Sequence, residues 1–194
     1  MRYWSDFLVV GYYIGGAYDN GTVFELTPSG KSWTETILYD FPANAPGPCP
    51  YPSLVADQSG NLYGITYGGV FQLAPSGGGW TYSTIYSSQG GPHGIYPNNL
   101  IIDEAGNLFG TAEGGASSHC RRGGCGAVFK LRHARDGWRL TVLHTFHGGS
   151  TGADPYGGLV MDPQGNLYGT TYAGGGKGCS RGCGLVFEIV RTPQ

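Results

Sequence analysis

The stretch MDPQGNLYGTT, residues 161–171, has two close relatives elsewhere in the chain. They are ADQSGNLYGIT at residues 56–66 and IDEAGNLFGTA at residues 102–112. A motif that returns at intervals of about 40 to 60 residues is typical of a repeat protein. The sequence therefore predicts a series of related structural units.

A second motif, Val-Phe-x-(Leu/Ile), recurs in step with the first. Its four copies lie 47, 58 and 58 residues apart and begin at Val23, Val70, Val128 and Val186. A tryptophan follows each of the first three copies, at Trp33, Trp80 and Trp138. Together the motifs predict a single repeat domain, 1–194, made of units at approximately 7–51, 52–96, 97–154 and 155–194.

The composition favours strands and loops over helices. The chain has 37 glycines and 14 tyrosines, and only 12% of its residues are charged, about half the usual share. A net charge of −2 gives no basic surface for nucleic acid. No apolar segment approaches the roughly 20 residues of a membrane helix, so no membrane span is expected.

Residues 97–145 show what one unit contains. PNNLIID is a short apolar run, whereas NLFGTA, GAVFKLR and WRLTVLHTF alternate between apolar and polar residues. Alternation over so few residues predicts four short strands, which we name A to D. Applied to the whole chain, the pattern gives B-C-D, A-B-C-D twice and A-B-C.

This arrangement predicts an all-β fold, a β-propeller-like array of four-stranded antiparallel blades. A solenoid of hairpins is the alternative. The chain holds about three and a half blades, fewer than the four of the smallest closed propellers. Either the array is open or a second copy completes it, as a homodimer or higher oligomer.

Each copy of the first motif contains Asp-x-x-Gly-Asn, with the aspartate at Asp57, Asp103 or Asp162. An aspartate that opens a type I turn caps the turn main chain, and the later glycine accepts a left-handed conformation. A calcium loop would place several oxygen ligands at alternating positions, but the intervening residues are Gln-Ser, Glu-Ala and Pro-Gln. The motif therefore predicts a tight corner between strands A and B.

The connections predict two different edges of each blade. The A-to-B and C-to-D turns are short and share one edge, whereas most B-to-C and D-to-A connections are long, rich in glycine and share the other. Binding and catalytic residues usually lie on the loops that a rigid scaffold positions. Functional residues are therefore expected at the long-loop edge.

Four cysteines occupy corresponding B-to-C loops of two successive units: Cys120, Cys125, Cys179 and Cys183. Each pair is close enough in sequence to form a disulfide within its loop, which predicts an oxidising environment. The alternative is a zinc site shared by the four thiolates, with His119 as a further ligand. Cys49 is left over and is expected to be unpaired.

The combined pattern P-x-x-L-V-x-D-x-x-G-N-L-Y-G-T-T…G-G…G-x-V-F-x-L-x-P-x-G…W resembles the bacterial GloVer-type tandem repeat family, from about Phe7 to Val190. That resemblance implies a large secreted or surface-anchored bacterial protein. The A-B portion is also similar to NHL and gluconolactonase-like propeller blades. The metal-binding Glu, Asn and Asp set of those lactonases has no match here, so the resemblance supports the fold more than any activity.

Catalytic candidates lie in the long loops. His93 and His147 occupy corresponding D-to-A loops, and with Asp154 and Glu113 they could supply a general base. The same four side chains could instead hold an ion, of the calcium type, that activates water. No cofactor is certain, and the identity of any metal is unknown from the sequence.

Ligand-binding candidates lie near the same edge. Tyrosines at the rim of polar loops stack on sugar rings or grip a protein partner, and the asparagines occupy the channel-entry end of strand A. The candidates are Tyr96, Asn98, Asn99, Tyr156, His119, Arg121 and Arg122.

Two functions follow as hypotheses. The first is an extracellular module, secreted or at the cell surface, that binds a glycan, protein or small-molecule ligand through its long loops. The second is a small metal-dependent hydrolase of the lactonase or esterase kind.

The start, MRYWSDFLVVGYYIGG, is a poor signal peptide because of Asp6, and it aligns within a repeat unit. A fragment or an internal start is therefore expected.

Overall fold

In a computed structural model, the chain is all-β. The structure describes residues 7–11, 15–42, 49–88, 96–115, 120, 124–176, 178 and 182–191. Fourteen strands occur in this part of the chain: β1 (Phe7–Gly11), β2 (Thr22–Ser29), β3 (Ser32–Asp40), β4 (Pro50–Ala56), β5 (Leu62–Thr66), β6 (Gly69–Ser76), β7 (Gly79–Ser87), β8 (Pro97–Ile102), β9 (Leu108–Ala112), β10 (Ala127–Ala134), β11 (Gly137–Thr145), β12 (Val160–Met161), β13 (Leu167–Thr171) and β14 (Leu185–Ile189).

The strands form four antiparallel sheets in simple meander order. The first sheet is β1-β2-β3, the second β4-β5-β6-β7, the third β8-β9-β10-β11 and the fourth β12-β13-β14. This is the predicted B-C-D, A-B-C-D, A-B-C-D, A-B-C sequence, so the propeller-like blades are confirmed. No helix long and apolar enough to cross a membrane occurs among the described residues.

The chain divides into two compact units, Met1–Thr84 and Ile85–Gln194. In the first unit, Val23 of the first sheet packs against Leu62, Phe71 and Leu73 of the second. In the second unit, Phe109 and Val128 of the third sheet pack against the fourth sheet, around Leu167. Within each unit, the core therefore lies between two successive blades.

The fourth sheet departs from the others at its first strand. β12 has two residues, whereas the corresponding strands β4 and β8 have seven and six. Gly157 and Gly158 stand where β8 has Asn98 and Asn99, and glycine disfavours extended pairing because it loses more entropy and packs no side chain. The long connection before β12 also contains a short 3₁₀ turn at Gly149–Thr151, which the sequence pattern did not predict.

The Asp-x-x-Gly-Asn motif forms the predicted tight corner. The Asp57 carboxylate accepts hydrogen bonds from the main-chain N–H groups of Ser59 and Asn61, each at 2.9 Å, and from Asn61 Nδ2 at 2.8 Å. Tyr63 OH donates a fourth, at 3.0 Å. Gly60 closes the turn with a φ of 85°. The carboxylate is therefore occupied by its own turn, and the calcium-loop interpretation has no support at this position.

The other two corners repeat this arrangement with one informative difference. Asp103 and Asp162 accept the corresponding main-chain and asparagine hydrogen bonds. Tyr168 OH also donates to Asp162, at 3.1 Å, whereas the corner at Asp103 has Phe109 in place of the tyrosine. The tyrosine hydroxyl is thus an addition to a corner that forms without it.

The second glycine of the G-N-L-(Y/F)-G motif is explained by a neighbour across the sheet. Gly64 pairs with Phe71, Gly110 with Phe129 and Gly169 with Phe187. In each case a Cβ on the glycine would collide with the phenylalanine ring. The two motifs of the sequence therefore meet in space: the phenylalanine of Val-Phe covers the glycine of G-N-L-(Y/F)-G.

We expect Gly110→Ala to destabilise the fold by about 2 kcal/mol, because the new Cβ would meet both the Asn99 carbonyl oxygen and the Phe129 ring, and this overpacking would force the strands and the ring apart. Urea unfolding measures the change in the free energy of unfolding. Gly79→Ala in β7 is the matched control, since the nearest atom to its new Cβ would be 3.9 Å away. The double variant Gly110→Ala/Phe129→Leu should recover part of the loss. Equal stability of the two single variants would contradict this packing account.

The Asp57 corner also predicts an acid dependence. Burial raises the pKa of Asp57, but the hydrogen bonds from Asn61, Tyr63 and Ser59 outweigh it and leave the pKa below its ordinary value. This contribution to stability is therefore full above the unfolded-state pKa, roughly 4, and is lost as the pH falls through the lower folded-state value. Urea midpoints at pH 6 and pH 3 should differ less in Asp57→Asn than in the wild type. Tyr63→Phe should reduce the difference in part, and an unchanged difference in both variants would refute the assignment.

Candidate functional site

The long loops of the second unit meet at one edge, opposite the tight corners. We name this surface the long-loop face, and it comprises the described residues of 113–126, 146–159 and 172–184. Gly148 lies beside the Cys120 sulfur, so the second loop touches the first. Gly175 N donates to Gly149 O at 2.9 Å, so the third loop touches the second.

Main-chain hydrogen bonds fix these loops together. Ala153 and Ala173 exchange two of them, at 2.9 and 3.0 Å, and form a short antiparallel bridge. Asp154 N donates to Cys125 O at 2.9 Å. The predicted separation of an edge with tight turns from an edge with long loops therefore holds for this unit. Main-chain hydrogen bonds connect the long loops into one surface.

A disulfide reinforces the first loop. Cys120 and Cys125 are bonded, with their Cα atoms 5.0 Å apart, which confirms the predicted pair. Cys183 is also disulfide-bonded, whereas Cys179 lies outside the described residues. These bonds exclude the four-thiolate zinc site. Cys49 is a free thiol.

Two tyrosines form a pair on the long-loop face. The main-chain N–H groups of Tyr156 and Tyr172 donate to the same acceptor, Asp154 O, both at 2.9 Å. Their rings meet edge to face, with centroids 6.1 Å apart and an interplanar angle of 85°. The two side chains are 51% and 65% exposed. The result is a fixed aromatic corner that stands in solvent, which we name the tyrosine pair.

Asp154 holds this pair through its main chain. Its φ of 54° lies in the left-handed region that aspartate tolerates better than most residues. That conformation turns its N–H toward Cys125 and its carbonyl toward the two tyrosines. The sequence pattern suggested a catalytic role for the Asp154 carboxylate, whereas in the structure the Asp154 main chain positions the two tyrosines.

Asn98 ties β8 to the same loop. Its Nδ2 donates to Pro155 O at 3.1 Å, and its Oδ1 accepts from Thr111 Oγ1 at 2.6 Å. The buried Thr111 hydroxyl also lies 3.2 Å from Gly157 O. Pro155 and Gly157 flank Tyr156, so this network anchors the segment that presents the tyrosine.

The catalytic candidates are spread over the face. Glu113 is half-buried at the end of β9, Asp154 is half-buried in the second loop and His147 is exposed at the start of that loop. His147 N lies 3.3 Å from Thr151 Oγ1. His93 lies outside the described residues. Within the described ranges, no three His, Cys, Asp or Glu side chains are grouped as metal ligands.

The histidines near this loop interact with each other. The ring of His144 meets Phe146 edge to face, with centroids 4.7 Å apart. Burial against this apolar neighbour, and then the proximity of His147, lower the pKa of His144. His144 therefore carries less positive charge near neutral pH than an unperturbed histidine would.

The remaining ligand-binding candidates divide by position. Tyr96 and Asn99 are half-buried at the start of β8, and Asn99 lies beside Gly158. The candidates His119, Arg121 and Arg122 lie outside the described residues. The sequence pattern predicted neither the pairing of Tyr172 with Tyr156 nor the anchoring role of Thr111, because both contacts form between segments that are separate in the sequence and leave no repeating pattern.

Comparison with known proteins supports the repeat assignment. A family model described as the Gloeobacter/Verrucomicrobia repeat matches residues 8–193. This confirms the resemblance that the motifs gave. No curated protein matches the chain in sequence.

Solved structures match the fold at low identity. A chain of a nidogen/laminin complex is 18% identical with a TM-score of 0.54, and the match covers 87% of this chain and 54% of that one. A candidate gluconolactonase is 16% identical with a TM-score of 0.50, covering 97% and 66%. A candidate 6-phosphogluconolactonase from Bacteroides fragilis is 16% identical with a TM-score of 0.49, covering 83% and 44%. The chain thus spans about half to two thirds of the length of these chains, and the first two likenesses support the blade fold alone.

A double-mutant cycle tests the anchoring role of Asn98. We expect Asn98→Ala and Thr111→Val each to destabilise the fold by roughly 1 to 2 kcal/mol, because each leaves a partly buried polar partner unsatisfied. The double variant should cost less than the sum, with a coupling of about 1 kcal/mol in urea unfolding. Strict additivity would show that the 2.6 Å hydrogen bond contributes nothing. Unchanged stability with lost ligand binding would instead make Asn98 a direct ligand contact.

Proposed function

We propose that this chain, which belongs to the Gloeobacter/Verrucomicrobia repeat family, is an extracellular propeller-like module that binds a glycan through its long-loop face. The observation that carries the proposal is the tyrosine pair. Tyr156 and Tyr172 expose about half or more of their surface while their main chains are fixed to one carbonyl. An exposed aromatic pair on a fixed main chain supports binding because less backbone conformational entropy is lost when a ligand arrives.

The geometry of the pair suits a sugar. One ring can lie flat against the C–H face of a pyranose while the other, nearly perpendicular, contacts its edge. Tyrosine hydroxyls and glycine-rich main chain around the rings can supply hydrogen bonds to sugar hydroxyls.

The surroundings of the pair favour a glycan over a protein partner. A protein interface needs a broad apolar centre from which water is excluded. The neighbours of Tyr156 and Tyr172 in the sequence are instead glycine and small residues, such as Gly157, Gly158 and Gly174. A small aromatic corner among polar loops supports recognition of one or two sugar units. A protein ligand is the other outcome that the binding test can return.

The disulfides support an extracellular location. The Cys120–Cys125 bond and the bonded Cys183 are features of proteins that function in oxidising compartments. We therefore place the module outside the cytoplasm, secreted or at the cell surface.

Binding should depend on the tyrosine pair. On an array of bacterial and plant polysaccharide fragments, followed by titration calorimetry of the best binder, we expect Tyr172→Ala and Tyr156→Ala each to weaken affinity by about tenfold or more. Tyr67→Ala is the matched control. Tyr67 occupies the same motif position as Tyr172 and is 64% exposed, but the connection that follows it is only a short turn.

Three results would count against the proposal. They are the absence of glycan binding, equal losses in Tyr67→Ala and Tyr172→Ala, and binding only to a protein.

The alternative hydrolase is tested in the same samples with a panel of lactones and aryl esters, with and without EDTA. Turnover that EDTA abolishes, and that His147→Ala or His93→Ala also removes, would replace the binding module with the metal-dependent enzyme.

A further inference from the structure

One face of the fourth sheet is exposed at positions that are buried in the other blades. Val186 is 77% exposed, whereas Val23, Val70 and Val128, at the same motif position, are each 0% exposed. Thr170, its partner across the sheet, is also exposed. We name this surface, formed by Val160, Tyr168, Thr170, Val186 and Glu188, the terminal face.

The terminal face corresponds, position by position, to a face that is covered inside the second unit. Strand pairing aligns Val160, Tyr168 and Glu188 in the fourth sheet as it aligns Ile101, Phe109 and Lys130 in the third.

In the third sheet the corresponding residues are buried or partly buried. Phe109 and Val128 belong to a core cluster with Leu159 and Leu167 of the fourth sheet, and Ile101 packs against it. The third sheet is therefore covered by the fourth sheet, a blade of the same kind, through the face opposite to the terminal face.

The first sheet carries the complementary surface. In later blades, the phenylalanine of Val-Phe and the residues beside it pack against the preceding blade, as Phe71 and Trp80 do in the first unit. In the first sheet, Phe24 is only half-buried, and its partner Ile37 is 50% exposed. Trp33, which lies on the same face of β3, is 51% exposed. We name the surface of Phe24, Trp33 and Ile37 the opening face.

We propose that the terminal face of one copy of this chain binds the opening face of a second copy. The occupant is a second copy because one chain carries both halves of a contact that it already makes twice, once within each unit. The contact is heterologous, since two different faces meet. It would bury the valines, the tryptophan and the isoleucine that each copy exposes, which is a favourable hydrophobic contribution.

A charged side chain introduced into either face should disrupt the contact between two copies, which gives a direct test. Sedimentation equilibrium of the wild type, from about 1 to 200 μM, should show association above the monomer mass of 20.5 kDa. Val186→Glu on the terminal face and Ile37→Glu on the opening face should each weaken association by about tenfold or more, because each buries an unpaired charge in the contact. Gln164→Glu adds the same charge at an exposed corner of the fourth sheet and should leave association unchanged.

Mixing the two variants identifies which faces meet. A Val186→Glu copy keeps its opening face, and an Ile37→Glu copy keeps its terminal face, so the two should form a one-to-one heterodimer that native mass spectrometry detects. Thermal unfolding of each variant at low concentration should match the wild type, because both side chains are exposed in the single chain. A wild type that stays monomeric, variants that associate normally, or a mixture that fails to pair would each overturn the proposal.

Discussion

The packing of a phenylalanine ring over a cross-strand glycine is the contact on which the second, third and fourth blades depend. In the first blade, Phe24 pairs with Val9 instead. The contact between glycine and phenylalanine joins strands B and C at Gly64, Gly110 and Gly169. At these positions strand B has room for no side chain larger than a hydrogen atom. The same phenylalanine orients the valine before it toward the next blade, because successive side chains point to opposite faces of a sheet. One contact therefore fixes both the packing within a blade and the direction in which the next blade is added.

Blades built this way have fixed corners at one end of their strands and variable connections at the other. The aspartate corners complete their own hydrogen bonds at one end, so that end has little capacity left for ligands. The other end carries connections whose length is free to change, because they contribute little to the contact between glycine and phenylalanine. In the second unit this freedom has produced a disulfide-bonded loop and the tyrosine pair at the same edge.

The sequence predicted what local pattern determines. Alternation and turn chemistry were enough for the strand order and for the corner at Asp162, and loop spacing was enough for the Cys120–Cys125 bond. The site was harder, because its contacts join residues far apart in the chain. Asn98 reaches Pro155 across 57 positions, and the role of Asp154 rests on a positive φ. Neither a long-range hydrogen bond nor a left-handed aspartate leaves a periodic signal, so the sequence indicated the long-loop edge without showing how its loops are joined.

Loop length explains why, among the described residues, Tyr172 belongs to a tyrosine pair and Tyr67 does not. Tyr67 and Tyr172 occupy the same place at the end of strand B and are almost equally exposed. Tyr67 and Gly68 form a two-residue turn that leads directly into β6. The loop after Tyr172 instead continues to Gly184, where Gly184 N donates a hydrogen bond to Gly174 O. The longer loop bonds to the loop that carries Asp154, and the shared carbonyl of that residue brings Tyr156 beside Tyr172. An ordinary rim residue thus becomes half of an exposed aromatic pair through the longer loop that follows it, with no change in the blade itself.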